Sequence, residues 1–193
     1  MVPVGWLTVS ELLKTAIRDH GRVEGDLVMV DGFLNHRVDV SLMTEIGRWL
    51  AAALGPADAV VTSEASGIAP AFATAEALGV PMIFAKKRPG QPPGPISRSV
   101  HSPTKGDTPW LHINPRALDG LATVVIVDDF LSKGRTAAAL VEMLEESGVT
   151  VIGVGFCIEK AYEGGRDLLE SLNVRVVAAA TVTGIEDGRP NVT

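Results

Sequence analysis

The sequence predicts an α/β protein with a mostly parallel twisted sheet flanked by helices. After residue 39, stretches of helical periodicity alternate with strand-like apolar runs, the rhythm of βαβ units. DAVVTS (58–63) and VVIV (124–127) are uninterrupted apolar runs, read as strands buried inside the sheet. With 193 residues, 46% hydrophobic and 21% charged, the chain can bury one substantial core, so a single domain over 1–193 is expected.

Taken in order, VSELLKTAIRDHG reads as a first helix, with Thr8 as N-cap, Glu11 three residues on, and Gly21 after its end. LVMV (27–30) reads as a short strand, and residues 40–55 as an amphipathic helix behind Asp39. Strand 58–63, helix 68–79 and strand 80–85 follow. A strand at 122–127 is expected to end in the acid pair Asp128-Asp129 and to lead into the helix RTAAALVEMLEESG. The strand VTVIGVGFCIE, the helix GGRDLLESLN and the strand VRVVAAATV complete the series. No internal repeat is evident.

Residues 88–109 break this rhythm. They hold six of the twelve prolines (Pro89, Pro92, Pro93, Pro95, Pro103 and Pro109) with Gly90, Gly94 and Gly106. A long irregular segment inside a compact domain is usually functional, and here it reads as a mobile lid.

The net charge of −6 argues against a dedicated nucleic-acid binder or a coat for anionic membrane, since both need broad basic surface. No apolar run approaches the ~20 residues that span a bilayer, and the first residues lack a secretory pattern, so a cytoplasmic protein is expected. The single cysteine, Cys157, lies in an apolar run and reads as a buried small hydrophobe with no disulfide partner. His20, His36, His101 and His112 show no metal-ligand spacing.

The stretch VVIVDDFLSKGRT (124–136) carries the chemistry. In an open parallel sheet, ligands bind beyond the carboxyl ends of strands, where the next helix offers unsatisfied N–H groups. Gly134 permits close approach of an anion, and the amides of Ser132, Lys133, Gly134, Arg135 and Thr136, with the Thr136 hydroxyl, can donate to phosphate oxygens. Acids beside such a cradle would repel the phosphate itself. Asp128 and Asp129 instead suit the hydroxyls of a ribose 5-phosphate, or a magnesium ion nearby. The Walker A and dinucleotide-binding spacings are both missing.

VVTSEASGIAPA has the same strand-loop-helix form, so Ala65, Ser66 and Gly67 can present amides to pyrophosphate oxygens. Lys86 and Lys87 after a strand, with Arg88 beside them and Lys105 on the lid, supply local positive charge on an acidic protein. Such groups stabilise a leaving pyrophosphate as charge develops on it, and a closing lid would exclude water.

VVIVDDFLSKGRT resembles the phosphoribosyl pyrophosphate (PRPP) motif of the type I phosphoribosyltransferases. VDGFLNHRVD (30–39), SEASGIAPA (63–71), ALGVPMIFAKK (77–87), VDDFLSKGRTAA (127–138) and GVGFCIEKAYEGGRD (153–167) together resemble the bacterial xanthine phosphoribosyltransferases, over nearly the whole chain after about residue 22. The resemblance implies the type I phosphoribosyltransferase fold, with a base-binding hood from residues 1–38 and about 158–193 and a lid at 88–109. It implies transfer of the phosphoribosyl group from PRPP to xanthine in purine salvage, with guanine, hypoxanthine or adenine as the alternative acceptor. A non-catalytic PRPP-binding regulator is the reading from another class. It further implies that Asn35, Lys160 and Val28 line the base, that Mg2+ arrives with the substrate and is assisted by Asp128 or Asp129, and that the chain forms a homodimer. By residue type, Lys160 can donate to a 6-oxo group, Asn35 can both donate and accept, and Phe130 can stack on a purine. Two features depart from relatives: Ser132-Lys133-Gly134-Arg135 replaces alanine-asparagine-glycine-glutamine, and Val28 replaces a leucine. The lid is also richer in proline over 89–95, although S-V-H-S-P-T-K keeps its serines and lysine.

Overall fold

The computed structural model describes residues 8–25, 27–90, 92–100 and 109–193. Helix α1 (Val9–His20) starts where Thr8 accepts from the Glu11 amide at 3.3 Å. Strands β1 (Arg22–Glu24) and β2 (Leu27–Met29) form a small antiparallel hairpin. Helix α2 (Val40–Leu54) is capped by Asp39, which accepts from the Leu42 amide at 3.0 Å. There follow β3 (Ala59–Ser63), α3 (Ile68–Leu78), β4 (Met82–Arg88), β5 (Ser97–Ser99) and β6 (Trp110–His112). The chain continues through β7 (Thr123–Leu131), α4 (Arg135–Glu146), β8 (Thr150–Lys160), α5 (Gly165–Ser171), β9 (Val176–Glu186) and β10 (Arg189–Val192).

Eight strands make the main sheet in the order β10-β9-β8-β7-β3-β4-β6-β5. Its centre, β9 through β4, is parallel, as the alternating pattern requires. Antiparallel strands finish both edges. Successive residues of β7 feed opposite cores. Val124 and Ile126 pack with Leu140, Leu144 and Phe156 beneath α4, whereas Val125 and Val127 join Leu50, Ile46 and Leu34 beneath α2. The N-terminal helix closes the second core against β9 and β10, and Arg18 donates to the Val192 carbonyl at 3.3 Å.

Three expectations change. The acid pair does not end its strand: β7 continues to Leu131, because Phe130 and Leu131 still pair with Ile158 and Glu159 of β8. Strand β4 runs to Arg88 rather than stopping at Ala85, since Lys86, Lys87 and Arg88 pair with His112, Leu111 and Trp110. Within the segment read as a lid, Ser97–Ser99 form β5, which pairs with β6 just beyond the segment. Residues 101–108, with Lys105 and His101, lie outside the described residues. No described helix is long and apolar enough to cross a membrane.

Candidate active site

The sheet register leaves an opening at the acid pair. On one side β7 pairs with β8 past Asp128, but on the other its pairing with β3 stops at Val61 and Ile126. Strand β3 ends at Ser63, and the loop Glu64 to Gly67 crosses the vacated flank before α3 starts. Two strand-to-helix turns therefore meet beside the acids, each presenting helix N-terminal amides.

The approach is close. A methyl group at Gly67 would lie 2.3 Å from Asp128 Oδ1 and 2.3 Å from Thr62 Oγ1, so only glycine fits there. Ser66 donates to Asp129 Oδ1 at 3.1 Å, and Asn35 donates through Nδ2 to Asp129 Oδ2 at 3.1 Å. Glu64 holds the loop to β4 by accepting from the Lys87 amide at 2.6 Å. The Glu64–Ala65 peptide is cis.

Asp129 is buried and Asp128 half-buried. Burial first, then the charge of Asp129, push the Asp128 carboxyl well above the ordinary carboxylate value, with Lys87 opposing. Asp128 accepts from the Asp129 amide at 2.9 Å. The hydroxyl of Thr62, fully buried nearby, has no hydrogen-bond partner among the described residues. A crowded pair of carboxyl groups that keeps acceptor capacity beyond the bonds from Ser66, Asn35 and the Asp129 amide is built to meet further donors or a cation.

Along β4, side chains alternate faces. Lys87 is the lysine that lowers the Asp128 carboxyl value, while Lys86 stands 6.0 Å from the Phe84 ring centroid. Both are exposed.

Beyond Leu131, residues Ser132, Lys133 and Gly134 turn into α4, which Arg135 and Thr136 begin. Gly134 sits at φ +70, and a methyl group there would lie 2.8 Å from the Gly165 carbonyl oxygen. The same crowding acts in reverse at Gly165, where one would lie 2.2 Å from the Ser132 carbonyl oxygen. Helix α5 thus starts pressed onto the turn.

On the β8 side, Lys160 is buried with its Nζ 5.0 Å from the Phe130 ring centroid. Val28 is buried in the core layer against which Phe130 packs, and Phe33 and Leu34 precede Asn35 in that layer. The structure therefore brings Asn35 and Ser66 together on Asp129, Gly67 against Asp128, and Lys160 onto Phe130, with Val28 in the core layer that Phe130 packs against.

Some participants escaped the sequence reading. Glu163 accepts from Ser132 Oγ at 2.5 Å and lies 3.7 Å from Lys160 Nζ. Glu159 is buried and bound twice by Arg166, at 2.8 and 2.5 Å. Three-residue spacing from Lys160 to Glu163 is the available signal for the first. The glycine pair 164–165 is the signal for the tight approach of α5.

Residues 43–184 match the Phosphoribosyl transferase domain family. A xanthine phosphoribosyltransferase of Chloroflexus aurantiacus is 44% identical over 182 residues, 92% of this chain and 86% of that protein. One from Streptococcus uberis is 43% identical over 186 residues, 94% of this chain and 96% of its own. Among solved structures, Saccharomyces cerevisiae adenine phosphoribosyltransferase, complexed with an imino-altritol bisphosphate and adenine, superposes with a TM-score of 0.71. It is 25% identical, over 89% of this chain and 98% of that one.

Proposed function

Since this chain belongs to the phosphoribosyltransferase family, we propose that it transfers the 5-phosphoribosyl group of PRPP to xanthine, giving xanthosine monophosphate and pyrophosphate in purine salvage. One observation carries the reading: Asp129 is shared by Ser66 of one turn and Asn35 of the base-side segment, so three segments converge on one acidic strand.

In this reading Asp128 and Asp129 bind the ribose hydroxyls. The amides of Ser132 to Thr136, at the start of the twelve-residue α4, hold the 5′-phosphate. Ala65, Ser66 and Gly67, at the start of α3, hold the pyrophosphate, assisted by Lys87, by Lys105 and less directly by Lys86. As the C1′–O bond breaks, negative charge grows on the pyrophosphate and positive charge on the ribose ring. A purine nitrogen then forms the new bond to C1′. Groups preplaced at the leaving oxygens stabilise that transition state more than the ground state. The base stacks on Phe130 beside Val28, with Lys160 donating to the 6-oxo group and Asn35 turning from Asp129 to the purine edge. Residues 88–109 serve as the lid that excludes water.

Mg2+ fits these residues as an ion carried by the substrate. The Asp128 carboxyl, disfavoured as an anion by burial and by Asp129, gains by meeting a cation. When bound, the ion neutralises diphosphate charge, with Asp128 or Asp129 as an assisting ligand.

A homodimer is part of the proposal. An apolar groove of about 720 Å3 runs between α2 and α3, adjoining Ala65 and Ser66. Phe72 and Val40 at its walls are 64% and 73% exposed, which self-association would bury. Sedimentation velocity of Phe72→Glu beside wild type tests this, and an unchanged monomer in both overturns it.

Steady-state assays with PRPP, magnesium and xanthine, guanine, hypoxanthine or adenine test the activity. Xanthine is expected to give the highest kcat/KM. Xanthine as the poorest acceptor removes the assignment, and binding without pyrophosphate release with any purine favours a regulator.

A further inference from the structure

The turn after β8 carries a carboxylate with two different partners. Glu163 Oε2 accepts from Ser132 Oγ at 2.5 Å, while Oε1 lies 3.7 Å from Lys160 Nζ. The Lys160 side chain is 9% exposed and that of Glu163 is 20% exposed. This pair is largely out of water, where screening is weaker than between surface charges. One side chain thus touches both the turn assigned to the 5′-phosphate and the lysine assigned to the base.

A serine hydroxyl has a single proton to donate. Ser132 cannot give it to Glu163 and to a phosphate oxygen together, and a phosphate entering the turn repels the carboxylate. Glu163 is then released, with Lys160 already within reach. Shortening 3.7 Å to the ~2.8 Å of a charge-assisted hydrogen bond would fix the ammonium beside Phe130 and leave its other N–H groups for a carbonyl oxygen.

We propose that Glu163 is a positioning residue that couples the two halves of the site, so that occupation of the phosphate turn orders Lys160 for a 6-oxopurine. The proposal rests on the roles assigned above to the turn and to Lys160. Because coupling is reciprocal, an oxopurine must strengthen sugar-phosphate binding by the same factor.

Calorimetric titration of xanthine into the full chain, with and without saturating ribose 5-phosphate, reads the coupling. In the wild type the sugar phosphate should tighten xanthine binding about fivefold or more. Glu163→Gln still accepts from Ser132 but forms no ion pair with Lys160, so both ligands should bind with the mutual enhancement cut severalfold. Ser132→Ala frees the carboxylate in advance. Xanthine alone should then bind as tightly as it binds wild type with ribose 5-phosphate, and the sugar should add nothing. A merely structural Glu163 would lower melting temperature and leave the enhancement intact. Equal enhancement in wild type and Glu163→Gln, or none in wild type, overturns the proposal. Should Glu163→Gln not fold, the Ser132→Ala result decides alone. Failure of ribose 5-phosphate to bind wild type refutes the phosphate assignment itself, and the coupling with it.

Discussion

Ser66 donates its hydroxyl to Asp129 Oδ1 at 3.1 Å, joining the turn after β3 to the acid pair within β7, 63 residues away in sequence. The contact exists because β3 stops pairing with β7 at Ile126, opening a flank that the Glu64 to Gly67 loop fills. A loop and an acid strand locked this way move together or not at all.

Gly67→Ala tests how tightly that flank is filled. The added methyl meets Asp128 Oδ1 and Thr62 Oγ1 at 2.3 Å, the ends of two short side chains, so relieving the clash turns the Asp128 carboxyl or displaces the loop. Displacing the loop by about an ångström should lower kcat/KM about a hundredfold. Gly134→Ala, crowded instead against Gly165, should act chiefly on KM for PRPP. Steady-state kinetics with varied PRPP separates the two.

Asp128 makes stability depend on pH in a definite direction. Its folded-state carboxyl is raised above the ordinary value of 3.8, so the acid form is favoured by folding. The stability this group permits is complete below that value and is lost as pH rises through the folded-state value. Asp128→Asn keeps an oxygen for the Asp129 amide and removes the charge. Melting temperature should therefore exceed that of wild type near neutral pH by a few degrees, roughly. The gap should shrink as pH is lowered toward about 4. Activity should move oppositely: Asp128→Asn with Asp129→Asn should lose about a hundredfold or more in turnover while staying folded. A double variant that turns over normally would remove the acids from the ribose site.

These residues differ in how visible they are in sequence. VVIVDD followed by G-x-T can be read because each piece has a local cause: apolar residues for a central strand, a glycine for the turn, and exposed amides for the helix start. The central parallel order follows from the same alternation. The pairing of β5 with β6 escapes such reading because strands of three residues carry no periodicity: β6 forms against the extension of β4, and β5 against β6. Glu163 and Arg166 escape it for another reason. Their partners Ser132, Lys160 and Glu159 come within reach only after α5 has packed on the phosphate turn, an arrangement that no local pattern encodes.

Lys160→Ala should act chiefly on the base. The buried ammonium lies over Phe130, and in the proposed reading it donates to the 6-oxo group. Losing a charged hydrogen bond of about 1.5 kcal/mol or more should raise KM for xanthine about tenfold, with KM for PRPP less affected. Adenine, which lacks the oxo group, should lose little. An unchanged ranking of the four bases would take Lys160 out of the pocket.

Arg166 and Glu159 should respond unequally to deletion. Glu159 is buried and takes hydrogen bonds from Arg166 at 2.8 and 2.5 Å. Arg166, about a third exposed, also donates to the Val176 carbonyl at 3.1 Å and to Glu170 at 3.3 Å. Arg166→Ala strands a buried carboxylate and should lose about 3 kcal/mol, or roughly 6–12 °C in melting temperature. Glu159→Ala leaves a guanidinium that water can reach and that keeps two partners, so its loss should be smaller. Because the clamp seats Gly165 against Ser132, Arg166→Ala should also raise KM for PRPP. The reverse order of stabilities would place the value of the clamp in the Val176 and Glu170 contacts instead of the burial of Glu159.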